Sequence, residues 1–229
     1  MKMQILAGAT VGLFALAVSG CGSGQSTSNE PMFEVGKADT LLLNADGMNA
    51  VTGLKLNYQD KAAPGWTEPS DPDVVDQGDS KCDGLLGFNT STIGTTYTAY
   101  RGNVSNESKD SYTHYVIQQV ALVADPGAAK QVLSDQFANP TNACDGKTMH
   151  VKGGKALRSF HKTAVSDTEV RVMIASLSLD PPNQPTGWGC AVEAHAKNNV
   201  VIYVSVCQNG NGAPTASAIV DKLSTNIPG

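Results

Sequence analysis

Five cysteines carry most of the chemistry available to this chain, and their positions separate one from the other four. Cys21 closes the stretch Val18-Ser19-Gly20-Cys21, which follows Lys2 and an apolar run from Ile5 to Val18. A positive start, an apolar run too short to span a bilayer comfortably, and small residues before a cysteine make a signal peptide whose thiol accepts a diacylglycerol. Cleavage then leaves Cys21 as the new N-terminus. Two or three acyl chains, at about 0.8 kcal/mol per buried CH2, hold such a protein firmly on a membrane. An exported chain matures in an oxidising compartment, so Cys82, Cys144, Cys190 and Cys207 are expected to form two disulfides, for which three pairings exist.

The other reactive residues form no local constellation. Gly146-Lys147-Thr148 matches the end of a phosphate loop, but that loop needs a glycine where Thr141 stands. Gly-x-Ser-x-Gly, His-Glu-x-x-His and Cys-x-x-Cys do not occur. His114, His150, His161 and His195 lack local metal spacing and are expected as surface or packing residues. No catalytic residue, metal or cofactor is therefore assigned. Asp71, Asp73, Asp76, Asp79 and Asp83 share one stretch but miss the EF-hand pattern, with Val75 at a ligand position and Gln77 breaking the spacing. They are expected as an acidic, solvated loop. Trp66 and Trp188 sit in Pro/Gly loops, where such rings either pack on the core or line a cleft. A dispersed Ser/His/Asp triad is recognised by geometry rather than order, so sequence leaves it open.

Composition sets the frame for these residues. The 229-residue chain carries a formal net charge of −5 and no Lys/Arg cluster, which argues against nucleic acid and against a basic membrane-binding face. Residues 1–20 form the signal peptide. Residues 21–36 form the lipidated N-terminus and a Gly/Ser/Thr/Asn linker, whose flexible reach is about 20 Å. Residues 37–229 form one domain, a size that supports a single core.

The elements that position the cysteines follow from pattern. Asp39 is expected to cap a helix that buries Leu41, Leu42 and Val51, interrupted at Asn44–Gly47. Residues 60–84 read as a long loop. Tyr97–Arg101 and Thr113–Ala124 read as strands, with Asn103–Asp110 as a polar turn. Asp125-Pro126 starts a helix with Ala129, Val132, Leu133, Gln136 and Phe137 on one face, and Asn139-Pro140 stops it. Residues 147–151, 156–162 and 169–178 read as strands, and Asp180–Gly187, with three prolines, as a loop. Pro214 starts a last helix with Ala216, Ile219, Val220, Leu223 and Ile227 on one side.

Gly189–Lys197 and Val200–Cys207 read as a hairpin turning on Asn198-Asn199, since asparagine tolerates positive φ. In that register Cys190 faces Cys207 at a non-hydrogen-bonded site, where Cα atoms lie about 4.5 Å apart, at the short end of the disulfide range. This leaves Cys82 to Cys144. Glu193 and His195 share a face with Val204 and Ile202, so that face is expected to be half covered.

Cys82-Asp83-Gly84, then Val116-Ile117-Gln118-Gln119-Val120 leading to Asp125-Pro126-Gly127-Ala128-Ala129, then Cys144-Asp145-Gly146, Gly187-Trp188-Gly189-Cys190, and Asn199-Val200-Val201-Ile202 running to Cys207 form an ordered set. From about Ala38 to the end, the chain resembles the extracytoplasmic sensor domain of some mycobacterial receptor serine/threonine protein kinases, also found in free-standing mycobacterial lipoproteins. The resemblance implies an α+β fold: a twisted antiparallel β-sheet with flanking helices, two disulfides and a cleft for a ligand, without enzymatic activity. One departure is Thr141, where the family has tryptophan three residues before the second cysteine; it touches the packing near Cys144 and the cleft's shape. No kinase segment or transmembrane helix accompanies the domain, so sensing here is not expected to signal directly across a membrane. The expected protein is a lipid-anchored, non-catalytic binding domain on the outer face of the cytoplasmic membrane, taking a small envelope molecule or an envelope protein. An envelope hydrolase with a dispersed active site and a structural surface lipoprotein are the alternatives.

Overall fold

Runs of β-branched and aromatic residues pair into one antiparallel sheet, and the two faces of that sheet are buried under different helices. The structure is a computed structural model that describes residues 31–60, 65–69, 80–88, 93, 95–110, 113–151 and 154–228. Cys21 and the signal peptide lie outside the described residues, as do Asp71, Asp73, Asp76 and Asp79. The strands are β1 (Tyr58–Gln59), β2 (Ala99–Asn106), β3 (His114–Leu122), β4 (Thr148–His150), β5 (Leu157–Val165), β6 (Glu169–Leu179), β7 (Pro182–Lys197) and β8 (Val200–Asn209). Their spatial order is β1-β2-β3-β8-β7-β6-β5-β4. The helices are α1 (Ala45–Thr52), α2 (Pro126–Leu133), α3 (Asn139–Cys144) and α4 (Ala213–Thr225), with 3-10 turns at Val35–Thr40 and Ser80–Leu86.

Alternation along β3 and β8 separates two cores. Val116, Val120, Ile202, Val204 and Val206 face α4 and α1, meeting Ile219, Val220, Leu223 and Met48. Ala121, Val201, Tyr203, Val192 and Ala194 face α2, meeting Ala129, Leu133 and Phe137. A two-residue side-chain period delivers this sorting, because neighbouring residues point to opposite faces. The α+β architecture with its twisted antiparallel sheet and flanking helices is the one the sequence implied.

Gln118 and Gln119 show the period at work on polar residues. Gln118 is fully buried; its Oε1 accepts the Leu43 N–H at 2.9 Å, and its Nε2 donates to the Leu43 carbonyl at 2.6 Å and to Asn103 Oδ1 at 2.9 Å. Gln119, on the other face, accepts the Phe88 N–H at 2.9 Å. Each side chain staples a segment that has no ladder partner of its own. Gly102 permits a third attachment: Trp66 and Gly102 exchange backbone hydrogen bonds at 2.7 and 3.1 Å, and a Cβ on Gly102 would lie 2.8 Å from Tyr100 Oη.

Several boundaries differ from the sequence reading, each for an identifiable reason. The folded chain begins before residue 37: Phe33 is buried and donates its N–H to Asn199 Oδ1 at 2.7 Å. Asp39 caps nothing; it lies in the first 3-10 turn and pairs with Arg101. The cap is Asn44, accepting the Gly47 N–H at 2.8 Å, and the residues buried there are Leu41, Leu43 and Met48, with Leu42 and Val51 half-buried. Residues 103–106 continue β2 instead of turning, because Gln118 and Gln59 satisfy Asn103 and Ser105. Asn139-Pro140 does not end the helix. A π turn over Ser134–Ala138, with the Asn139 N–H bonded to the Ser134 carbonyl, widens the coil ahead of the proline, and α3 continues to Cys144. The segment 180–187 is largely strand: β7 starts at Pro182, with Pro182 and Pro185 at the register shifts where a missing N–H is tolerated.

The hairpin register is as expected, with Lys197 opposite Val200, Cys190 opposite Cys207, and Asn198 at φ 49°. The disulfides are Cys190–Cys207, with Cα atoms 3.9 Å apart, and Cys82–Cys144, at 5.9 Å. Asp125 caps α2 through the Ala128 N–H at 2.8 Å. The apolar face of α4 is buried as its spacing implied.

Candidate functional site

The helices α2 and α3 leave one part of their face of the sheet open, at the end of the β7–β8 hairpin far from its turn. A cavity of about 230 Å3 lies there. Leu86, Ile117, Val151 and Ile174 give apolar walls, Tyr115, Trp188 and Tyr203 give aromatic rings, and Arg158 and Ser205 give polar groups. The Cys190–Cys207 disulfide forms part of the lining. Strand pairing assembles it: Tyr115 sits opposite Cys207, Trp188 opposite Asn209, and Ser205 and Cys207 point the same way two residues apart. Arg158 donates to Ser176 on the adjacent strand, and Tyr203 Oη donates to the Leu85 carbonyl at 3.3 Å. Few oriented polar groups among aromatic and aliphatic walls is the usual make-up of a small-molecule site.

A larger cavity, about 500 Å3, lies on the other face beside the N-terminus of α4. Its floor is Met173, Ala191, Ala213 and Ala216, and its charged groups are Arg171 and Glu193. Those two groups pair with each other, Arg171 Nη2 donating to Glu193 Oε1 at 3.3 Å. Arg171 Nε lies 3.1 Å from Glu193 Oε2 and 2.6 Å from Glu169 Oε1. Glu193 also accepts from Ser217 Oγ of α4 at 2.6 Å, and His195 Nε2 lies 2.9 Å from its Oε1. Burial pushes the Glu193 carboxyl up, but the contacts from His195 and Ser217 and the positive charge of Arg171 outweigh it, so the group is held below the usual carboxylate range. The face expected to be half covered is so: α4 covers Glu193, which is 2% exposed, while His195, Glu169 and Arg171 remain partly exposed beside the cavity. Sequence reasoning missed Glu169 and Arg171, whose positions opposite His195 and Glu193 depend on the β6–β7 register.

The remaining residues singled out in the sequence disperse. Trp188 lines the smaller cavity, whereas Trp66 packs on the core. His114 pairs with Glu107 at 2.5 Å, and His150 Nε2 meets the Gly154 carbonyl at 3.0 Å. Ser159 and His161 meet at 2.9 Å, but among the described residues no carboxylate orients the His161 ring and neither residue lines either cavity. Asp83 is buried rather than solvated. Thr141 is fully buried, and its Oγ1 makes no hydrogen bond among the described residues. Lys147 and Thr148 stand in the turn and short strand after Cys144, with no phosphate-loop geometry around them. Among the described residues no helix is long and apolar enough to cross a membrane.

Comparison with known proteins places this geometry. The PknH-like extracellular domain family matches residues 33–226. The serine/threonine-protein kinase PknH of Mycobacterium bovis is 30% identical over 198 residues, covering 82% of this chain and 31% of the kinase. PknH of Mycobacterium tuberculosis is also 30% identical over 198 residues, covering 82% of this chain and 29% of the kinase. The chain thus spans about a third of the length of these curated relatives. The crystal structure of the extracellular domain of PknH from Mycobacterium tuberculosis superposes with a TM-score of 0.71 at 26% identity, covering 86% of this chain and 99% of that one. Two flanked sheet faces, an aromatic cleft and a matching domain across nearly the whole described chain lead to one conclusion: the protein belongs to the PknH-like extracellular domain family.

Proposed function

We propose that this protein is a lipid-anchored, non-catalytic sensor-like domain that binds a small amphipathic envelope molecule in the cleft between Tyr115, Trp188, Tyr203 and the Cys190–Cys207 disulfide. The observation that carries the reading is the cleft itself: aromatic rings left open on a sheet face that is otherwise sealed by helices. Membership of a family named for an extracellular domain supports an extracytoplasmic location.

The route of the chain supports a definite orientation. Asn198 holds both ends of the domain, donating to the Pro31 carbonyl at 3.0 Å and to the Pro228 carbonyl at 2.6 Å. Cys21 precedes Pro31 by ten residues, so the lipid anchor joins the domain at the hairpin turn. Cys190 and Cys207 lie seven pairs further along the hairpin, about 23 Å from the turn. The turn then faces the membrane and the cleft opens away from it.

The full-length protein, purified from its native membrane, should release a small molecule detectable by native mass spectrometry. Y115A and W188A should lose it while keeping the far-UV spectrum, and C21S should leave the membrane fraction. A native protein that carries nothing, or variants that retain the same molecule, would refute the cleft. A C21S protein that stays membrane-bound would refute the anchor.

A further inference from the structure

On the face opposite the cleft, four side chains of the β6–β7 pair form a ring of alternating charge with one position open. Glu169 stands directly opposite His195, and Arg171 directly opposite Glu193. Arg171 reaches Glu169 Oε1 at 2.6 Å and both oxygens of Glu193, with Nε 3.1 Å from Oε2 and Nη2 donating to Oε1 at 3.3 Å. His195 Nε2 lies 2.9 Å from Glu193 Oε1 and 3.8 Å from Glu169 Oε2. Arg171 therefore fills one side of the space between the carboxylates, and His195 faces the other. The position on that second side is bounded by one carboxylate oxygen each of Glu193 and Glu169 and a ring nitrogen of His195, all within 4.8 Å of one another.

The atoms around that position behave as ligands aimed at a common point rather than at each other. His195 Nε2 is buried and makes no hydrogen bond, although a carboxylate oxygen is 2.9 Å away. Tetrahedral donors about 2.0–2.2 Å from a zinc ion stand about 3.3–3.5 Å apart. The two separations from the imidazole nitrogen, 2.9 and 3.8 Å, bracket that spacing. Outer partners fix the carboxylates from behind. Ser217 Oγ donates to Glu193 Oε2 at 2.6 Å, and Arg171 lies 2.6 Å from Glu169 Oε1 and donates to Glu193 Oε1 at 3.3 Å; outer partners of this kind orient metal ligands.

We propose that Glu169, Glu193 and His195 form a site for a divalent transition-metal ion of the zinc class. One imidazole and two carboxylates suit a borderline ion better than calcium or magnesium, which take oxygen alone. The fourth coordination position is left to water or to a donor arriving through the 500 Å3 cavity, which Arg171 and Glu193 also line. The site is independent of the cleft: it lies on the other face of the sheet and shares no residue with it.

The test is zinc titration of the metal-stripped full-length protein by calorimetry, with cobalt(II) visible absorption as the spectroscopic readout. One ion per chain is expected, with the cobalt spectrum of a mixed nitrogen/oxygen site. H195A and E169Q should weaken zinc binding tenfold or more, whereas H114A, which breaks a different His–Glu pair, should bind as the wild type does. E193Q removes a buried charge and risks misfolding, so E169Q, at a partly exposed position, carries the test if H195A or E193Q does not fold. Failure of the wild-type protein to bind zinc would overturn the site, as would equal loss in H114A or unchanged binding in E169Q.

Discussion

The two disulfides hold regions built on different principles. Cys190 and Cys207 join strands whose register ten backbone pairs already enforce. Cys82 and Cys144 join a 3-10 turn to the end of α3, two segments that share no ladder, and both sulfurs are fully buried. One bond reinforces a ladder; the other substitutes for one. Stability in the helical segments therefore rests on point attachments, and stability in the hairpin on a distributed set.

Removing each bond in turn measures that difference. The Cys82–Cys144 bond closes a loop with a sequence separation of 62. The chain-entropy account gives it about 4 kcal/mol, and C82A/C144A adds a cavity in the core next to Phe88 and Phe137. The Cys190–Cys207 bond, with a separation of 17, is worth about 3 kcal/mol by the same account. Denaturant unfolding of the two double mutants should rank them in that order. In C82A/C144A, hydrogen exchange should accelerate in α3 before β8. The opposite ranking, with the hairpin opening first, would show that the ladder depends on its cross-link. Thiol counting sharpens the same point: C190S should expose a single free thiol, on Cys207, and free thiols at Cys82 or Cys144 would contradict the pairing.

Gln118 tests whether a hydrogen-bonded staple follows the same logic without a covalent bond. Gln118→Leu is similar in size but removes the partner of the Leu43 N–H and of Asn103 Oδ1, and leaves the Leu43 carbonyl only the longer bond from Gln59 Nε2 at 3.3 Å. Unsatisfied buried groups cost about 1–3 kcal/mol each, partly relieved if water enters. A loss of about 2–3 kcal/mol is expected, read as a lower denaturant midpoint with an unchanged m-value. A neutral substitution would mean that the Leu43 segment is held by Leu41 and Met48 burial alone.

The same division explains what was legible in the sequence. The β7–β8 hairpin and the buried face of α4 could be read because each depends on neighbours in the chain: a two-residue turn fixes ten pairs, and a helical period fixes a stripe. Asn103 and Ser105 looked like part of a turn because polarity usually marks solvent, yet their partners Gln118 and Gln59 lie on other strands. Pro140 looked like a stop because the π turn that accommodates it is a property of the backbone, not of a residue type. The cleft was foreseen only as an implication of family resemblance. Of its lining, Cys190 and Cys207 were singled out only as a disulfide, and Trp188 alone as a cleft residue, as one of two options. The Glu169–Arg171–Glu193–His195 ring was half visible, since Glu193 and His195 share a face by spacing, but its other half waited on the β6–β7 register.

The smallest effect is expected where a polar contact sits beside an intact ladder. Glu107 and His114 flank the β2–β3 connection, and eight backbone pairs hold those strands regardless. Burial pushes the Glu107 carboxyl up. Contacts from His114 Nδ1 at 2.5 Å, from Thr113 Oγ1 at 2.8 Å, and from backbone N–H groups outweigh it, bringing the pKa down to about 2 from 4.5. A carboxyl depressed on folding contributes stability that is complete above its unfolded pKa and disappears as pH falls through the folded one. The contribution of Glu107 is thus present above about 4.5 and lost between about 4.5 and 2. Partial exposure and salt reduce its size. E107Q should leave the acid limb of a stability–pH curve shallower across that window, with a change at neutral pH smaller than any of the losses above. A loss at neutral pH rivalling that of Gln118→Leu would mean that the β2–β3 connection, like the helical segments, depends on a single attachment, and the contrast between ladder and staple would fail at this position.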